Sequence, residues 1–369
     1  MQKRFEVENF KCFSKNISID LGDINVCLGC NSVGKSSIVQ SLILVRQIYE
    51  HLLETKEGEI IIQLNGVYGL QLGDAEHIKS SKERSDIVIR LDDQEFKLRS
   101  IEGSPFEMST LPVDVEALSK QEGIFSPNFY YLNAERVGPR TYHSISTKQI
   151  KNCGAFGENT AHYFNLVSNN KVEEKRCFQF DENKNVPTVS KQVEYWMDYL
   201  IPGISIKADD LTDLRLSRMQ YRQVTLDTEF LSPYSFGFGI SYVLPIIVTG
   251  LTAQKGSAFI VENPEVHLHP KGQSHIGFFL AMVAFSGVQV IVETHSEHVL
   301  NGIRIAALKE RKAPSDLSIN FFSIDEEDGN IVHRVEPIKL SDRMDFRNWP
   351  SGFMDQEEED LKTLRSLRK

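Results

Sequence analysis

The 369-residue sequence contains no uninterrupted apolar stretch of the roughly 18 residues needed to span a bilayer. The nearest run, YVLPIIVTGLTA, is too short and is broken by Pro245. The opening, MQKRFEVENF, lacks the apolar core of a secretory signal. Only five cysteines are present, an odd number in a long chain, so reduced thiols are expected rather than a disulfide framework. These absences point to a cytoplasmic protein with no membrane partner. Positive charge is not in surplus: 41 Lys and Arg face 51 Asp and Glu, a net charge of −10. That balance argues against a globally basic nucleic-acid binder but leaves room for a local basic groove. No internal repeat, low-complexity tract or sustained heptad pattern occurs, which argues against a long coiled coil. Hydrophobic residues at 41% and charged residues at 25% are ordinary for a globular chain, long enough here for one large domain or two.

The most specific feature is INVCLGCNSVGKSSIVQSLILV. Ile24 to Leu28 is an apolar run of strand length, and Gly29 to Ser36 fits G-x-x-x-x-G-K-[ST] without a mismatch. Ile38, Leu42 and Leu44 continue as a helix, so strand, loop and helix follow in the order a phosphate-binding loop needs. Glycines let backbone N–H groups converge on phosphate oxygens, and a helix N-terminus adds partial positive charge. Gly29, Asn31, Ser32, Val33, Gly34, Lys35, Ser36 and Ser37 are therefore the expected ATP contacts. Lys35 is expected to reach the β- and γ-phosphates and Ser36 to ligate Mg²⁺. Cys27 and Cys30, which make CLGC, overlap this loop, and no second CxxC completes a zinc site.

Alternation at Phe5, Val7, Ile17 and Ile19 predicts a hairpin leading into the loop strand. A helix is predicted from Ser36 to about Glu54, then a strand in EIIIQLNGVYGLQLG broken by Gly66, Gly69 and Gly73. IVIRL and EFKL, flanking Asp92–Asp93, read as another hairpin, and FYYL (129–132) as a strand. QVEYWMDYL has helical spacing. Antiparallel strands after a phosphate-binding loop suggest a nucleotide-binding head with a separate β-layer rather than a simple doubly wound sheet.

SAFIVENPEV is an apolar strand that delivers a carboxylate, Glu262, in the manner of a Walker B segment. VQVIVETHSEH is a second such strand, ending at Glu293-Thr294-His295, and SPYSFGFGISYVLPIIV is a glycine turn that opens a helix at about Gly239. Together with FEVENFKCF and WPSGFMDQ, these segments resemble the ABC-type ATPase head found in SMC, RecF and OLD-like proteins. They resemble in particular a subgroup of bacterial AAA-family ATPases that close with Trp-Pro-x-Gly-Phe, here Trp349 to Phe353. The similarity covers nearly the whole chain. It implies an α/β fold: a P-loop head with a central mixed sheet, flanking helices and an antiparallel β-layer.

The resemblance further implies a homodimer, or a higher homo-oligomer, of heads closing around ATP and Mg²⁺. Ser235, Gly237, Gly239 and Ser241 would contact the partner's nucleotide as its signature turn. Leu268–His269 falls at the D-loop, His295 would sense the γ-phosphate, and Glu262 would hold Mg²⁺, directly or through water, opposite Ser36. Gln71 is a candidate for the residue joining Mg²⁺ to the attacking water. In such heads the Walker B acid is followed by a glutamate that polarises water, but here Asn263 follows it. Asparagine cannot take a proton at neutral pH. Either Glu265 is the base, or hydrolysis is slow and ATP mainly locks a dimer.

Glu265, His267 and His269, with His295 and His298, also offer the oxygen and nitrogen donors that a transition metal takes. Pro264 and Pro270 argue for a loop there, no H-E-x-x-H helix is present, and the P-loop already accounts for Glu262. The expectation is against a metal of that kind. Arg136 and Arg140 read equally as phosphate or DNA contacts and as structural ion pairs, and the acidic run from Glu357 leads a solvated amphipathic tail.

Four segments are expected: an ATPase half with P-loop and β-layer (1–150), a helical or irregular subregion (151–230), a second ATPase half with signature turn, Walker B and switch histidine (231–340), and a tail (341–369). The leading function is an ATP-dependent switch for a separate effector, a nuclease or toxin encoded nearby; related heads recur in bacterial anti-phage defence. The alternative is an OLD- or RecF-like ATPase that acts directly on nucleic acid. The stretch after His295 is short for an OLD-type nuclease domain and has no Asp-x-Asp pair. SFGFG and ENPE depart from the LSGGQ turn and acidic pair of transporter subunits.

Overall fold

Unbroken apolar runs suit strands covered on both faces, and such runs lie at the centre of the computed structural model. It describes residues 1–54, 59–80, 86–111, 113–147, 149–224, 229–327 and 329–368. The chain begins with β1 (Arg4–Glu8), β2 (Ile17–Asp20), β3 (Ile24–Gly29) and α1 (Lys35–Glu54). Then come β4 (Ile60–Gln63), β5 (Asp86–Leu91), β6 (Gln94–Ile101), β7 (Ser104–Thr110) and α2 (Val115–Ser119). The middle holds β8 (Phe129–Leu132), β9 (Tyr142–Ser144), α3 (Thr160–Val167), α4 (Val189–Leu200), β10 (Ile204–Leu211) and β11 (Leu216–Gln223). α5 (Phe238–Thr252), β12 (Ala258–Glu262), α6 (Pro270–Phe285), β13 (Gln289–Thr294) and α7 (Glu297–Lys309) follow. β14 (Leu317–Glu327), β15 (Asn330–Pro337) and α8 (Gln356–Leu367) complete it.

The central sheet has the order β15-β14-β3-β13-β12-β8, parallel except for β15. A second six-stranded sheet, β2-β1-β5-β6-β7-β4, is antiparallel throughout. This mixed sheet with an antiparallel layer is the α/β head architecture that the sequence implies. A three-stranded sheet, β10-β11-β9, departs from the helical or irregular subregion expected over 151–230. Ile204, Ile206, Met219 and Tyr221 are buried on one face of its hairpin, while the other carries mostly polar residues such as Ser205, Lys207, Asp209, Arg218, Gln220 and Arg222, so the alternation is diluted in the sequence.

Alternation along the central strands sends side chains into two cores. Val26, Phe259, Val261, Val290 and Val292 pack on the side of α4 to α7. Cys27, Ala258, Ile260 and Ile291 pack on the side of α1 and the antiparallel layer. On the first side α6 and α7 approach closely. A Cβ on Gly277 would lie 2.0 Å from the Val299 carbonyl oxygen, and one on Gly302 1.9 Å from that of Ser274.

The closing segment is anchored by Phe353, fully buried, with the rings of Phe321, Phe346 and Trp349 edge-on at 5.4, 5.1 and 5.3 Å. α8 beyond it buries none of its residues.

Because backbone, not a flexible side chain, opposes the added methyl, Gly302→Ala is expected to destabilise the protein by about 1–3 kcal/mol. Urea unfolding would detect this as a lower midpoint with an unchanged slope, and an unchanged midpoint would show that the helices can separate at little cost.

Candidate functional site

The loop between β3 and α1 takes positive φ at Gly29 (149°), Ser32 (63°) and Gly34 (111°). A Cβ on Gly34 would lie 2.5 Å from Phe13 Cζ, so both conformation and space require glycine there. Asn31, Ser32, Gly34, Lys35, Ser36 and Ser37 line a cleft of about 190 Å³, while the Val33 side chain is buried behind it. Lys35 is only 3% exposed. Its Nζ donates to the Gly29 carbonyl at 2.9 Å and to that of Cys30. Burial lowers the Lys35 pKa, and neighbouring Glu293 opposes that fall.

Two carboxylates face α1 because of strand parity. Glu262 continues the alternation of Ala258 and Ile260, and Glu293 that of Ile291, so both point away from the α4–α7 side. They are direct partners in the parallel register, and Glu293 is in turn opposite Cys27 of β3. Ser36 Oγ donates to Glu293 Oε1 at 2.7 Å. Glu262 Oε1 instead accepts from the Tyr131 hydroxyl at 2.7 Å. β13 lies between β3 and β12, so Glu293 rather than Glu262 is the carboxylate nearer Ser36. Sequence reasoning assigned it no role, although the twin runs FIVE and VIVE carry the signal. Burial, then Glu262, push the Glu293 carboxyl up to about 7, against the pull of Ser36 and Lys35. Burial also raises Glu262, with the Tyr131 bond opposing.

Beyond β12 the chain turns sharply. Asn263 has φ 44°, a region asparagine tolerates better than most residues, and its N–H donates to the Glu293 carbonyl at 2.7 Å. Glu265, expected as a possible base, has both oxygens occupied: Thr294 Oγ1 donates to one at 2.7 Å and the His295 N–H to the other at 2.8 Å. In this arrangement it clamps the turn that carries His295. That imidazole lines the cleft, and burial, then Lys35, lower its pKa, which favours the neutral ring. His267 packs against Phe238 and Tyr242 at 5.5 and 4.9 Å, and His269 accepts from the Lys271 N–H at the start of α6. Glu265, His267 and His269 therefore diverge to separate partners.

Arg136 is buried and donates to the carbonyls of Asn133, Tyr242, Glu262 and Asn263 at 2.6–3.0 Å. It fastens the end of β12 to α5, a structural role, whereas Arg140 is exposed. Gly239 makes a second tie, since a Cβ there would lie 2.7 Å from the His267 carbonyl oxygen. Ser235, Gly237, Gly239 and Ser241 do not line the P-loop cleft of their own chain. Tyr234 and Phe238 beside them are 71% and 56% exposed. Gln71 is not brought to the cleft either. It lies between buried Leu70 and Leu72 in a loop with positive φ at Gly66, Gly69 and Gly73, so it points outward. The expected metal role for Gln71 has no support in this arrangement.

A model described as "AAA ATPase domain" matches residues 1–197. The chain belongs to the AAA ATPase family. A second AAA family, described as "AAA domain, putative AbiEii toxin, Type IV TA system", matches residues 112–301. This AAA ATPase is 22% identical over 377 residues to the OLD nuclease of Thermus scotoductus, covering 94% of this chain and 68% of that protein. Among solved structures, it is similar to an Smc head domain with an extended coiled coil bound to the C-terminal domain of ScpA, from Pyrococcus furiosus. The identity is 11% and the TM-score 0.50, over 100% of this chain and 99% of that one. An SMC head domain from Thermotoga maritima matches with 10% identity and TM-score 0.43, over 92% and 99% of the respective chains. At such identities the structural likeness concerns the fold. The fold is that of an SMC-type ATPase head, and the activity of the family is ATP hydrolysis.

Because the Glu293 carboxyl rises from 4.5 towards about 7 in the folded AAA ATPase, the fold binds a proton there that the unfolded chain releases. Stability from this site is therefore expected to fall as pH rises between those two values. In chelator, urea midpoints for Glu293→Gln should fall less than those of wild type across this window. Parallel slopes would contradict the shift.

Proposed function

We propose that the cleft takes ATP with Mg²⁺, that two chains close head to head around it, and that this closure switches a separate effector in bacterial anti-phage defence. The observation that carries this reading is a divided site. The P-loop, Lys35, Ser36 and the buried carboxylates share one cleft, while the turn from Ser235 to Ser241 is outside it, with Tyr234 and Phe238 presented to solvent. An exposed aromatic pair beside a glycine turn suits a surface that another molecule covers. The toxin family description and the OLD nuclease relative support a setting in which an ATPase head governs a destructive activity.

In this reading the N–H groups from Asn31 to Ser37 cradle the phosphates at the start of α1. Lys35 leaves the Gly29 and Cys30 carbonyls for the β- and γ-phosphates, trading neutral acceptors for charged ones. Ser36 and the carboxylates at Glu262 and Glu293 are hard oxygen donors that fit Mg²⁺, and the buried Glu293 oxygen that lacks a hydrogen bond supports the fit. The bound ion would screen the phosphate charge. His295 is held at the γ-phosphate by Glu265, a positioning residue. With Asn263 after Glu262 and Glu265 already engaged, no free base follows the Walker B strand, so turnover is slow and ATP mainly locks the closed pair. The nuclease relative favours a second reading, direct action on nucleic acid, which cleavage of DNA by the pure protein with a divalent metal would establish.

Sedimentation velocity with ATP and Mg²⁺ tests the closure. Wild type is expected to dimerise, and Lys35→Ala and Ser235→Arg each to remain monomeric. An equimolar mixture of the two variants should recover heterodimers, because one composite site stays intact. A wild-type protein that binds ATP yet stays monomeric would sink the closure. For turnover, Asn263→Glu is expected to hydrolyse ATP faster than wild type; equal rates would mean another residue already supplies the base.

A further inference from the structure

The geometry points to Glu293, rather than Glu262, as the carboxylate that binds the divalent cation directly beside Ser36, with Glu262 held one strand behind it. This assignment rests on the reading of the cleft as a Mg²⁺–ATP site.

Three observations converge on it. The first is position. The hydroxyl that opens the α1 turn, Ser36 Oγ, is 2.7 Å from Glu293 Oε1, whereas Glu262 directs Oε1 to the Tyr131 hydroxyl, also at 2.7 Å. That hydroxyl in turn accepts from Asn133 Nδ2 at 3.0 Å, so Glu262 is the start of a bonded chain leading away from the P-loop. The second is an unmet valence. Glu293 Oε2 is buried without a hydrogen-bond partner, on a side chain only 3% exposed, and Glu293 lines the same cleft as Lys35 and Ser36. A carboxylate oxygen left bare in a buried place is costly, and a cation would satisfy it. Lys35 does not do so: its ammonium is directed to the Gly29 and Cys30 carbonyls. The third is register. β13 is hydrogen-bonded to β3 on one side and β12 on the other, and Glu293 is level with Cys27 and with Glu262. A ligand on β13 therefore reaches the P-loop across one strand spacing, and a ligand on β12 must reach across two.

Only local motion is needed. Ser36 turns its O–H away from Glu293, which points a hydroxyl lone pair into the cleft and releases Oε1, leaving both carboxylate oxygens open to a hard cation. No covalent bond changes.

The test measures Mn²⁺ affinity by electron paramagnetic resonance in the presence of a non-hydrolysable ATP analogue, for wild type, Glu293→Gln and Glu262→Gln. Nucleotide binding in EDTA is measured in parallel as evidence that each variant keeps a folded cleft. Glu293→Gln is expected to weaken Mn²⁺ by at least about tenfold, since losing a direct ligand should cost no less than losing an outer partner. It should bind nucleotide in EDTA as well as wild type does, and Glu262→Gln should weaken Mn²⁺ less. An unchanged Mn²⁺ midpoint in Glu293→Gln, or a larger shift in Glu262→Gln, would overturn the assignment while leaving the nucleotide reading intact. Failure of wild type to bind nucleotide in either condition would overturn both.

Discussion

Glu262 and Glu293 end neighbouring parallel strands at the same level, and alternation turns both towards the helix that begins at Lys35. Burial resists the ionisation of both carboxylates, and the charge of Glu262 adds to the rise at Glu293. The surrounding bonds answer that tension. Tyr131 donates to one acid, Ser36 to the other, and Lys35 lies close enough to favour the charged form of Glu293. A cationic ligand between the acids and the loop would relieve the remainder.

The same strand ends are tied to the rest of the head. Glu265 joins the turn after β12 to the turn after β13 through Thr294 and His295. Arg136 joins the end of β12 to the Tyr242 carbonyl in α5, whose first turn is the glycine segment outside the cleft. Gly239 allows that turn to rest against the His267 backbone. A shift at the phosphates therefore has a short bonded route to the exposed Tyr234 and Phe238 surface. Such a route is what the proposed nucleotide-operated switch requires, and coupling along it can be measured by double-mutant cycles.

Much of this head is legible in the sequence because its signals are local. The glycines at 29 and 34, the lysine and serine that follow, and the apolar strand before them fix loop and helix without distant information. The α/β class and the antiparallel layer follow from short alternating runs such as IVIRL and EFKL. The hairpin at 204–223 is hidden because half of each strand is polar and solvent-facing. Glu293 is hidden for another reason: that β13, and not β12, pairs with β3 is a property of strand order, which no short window encodes. Gln71 fails for the converse reason. It is a candidate by resemblance, but buried Leu70 and Leu72 on either side turn it outward.

The claim beneath all of this is that the Lys35–Ser36 cleft grips a nucleoside triphosphate. Isothermal titration of the purified protein with ATP and Mg²⁺ tests it most directly. Saturable heat is expected for wild type, with an affinity lower by on the order of ten- to a hundredfold for Lys35→Ala, the loss of charge-assisted bonds to phosphate. Equal binding by the two proteins, or no heat from wild type with either ATP or GTP, would contradict it.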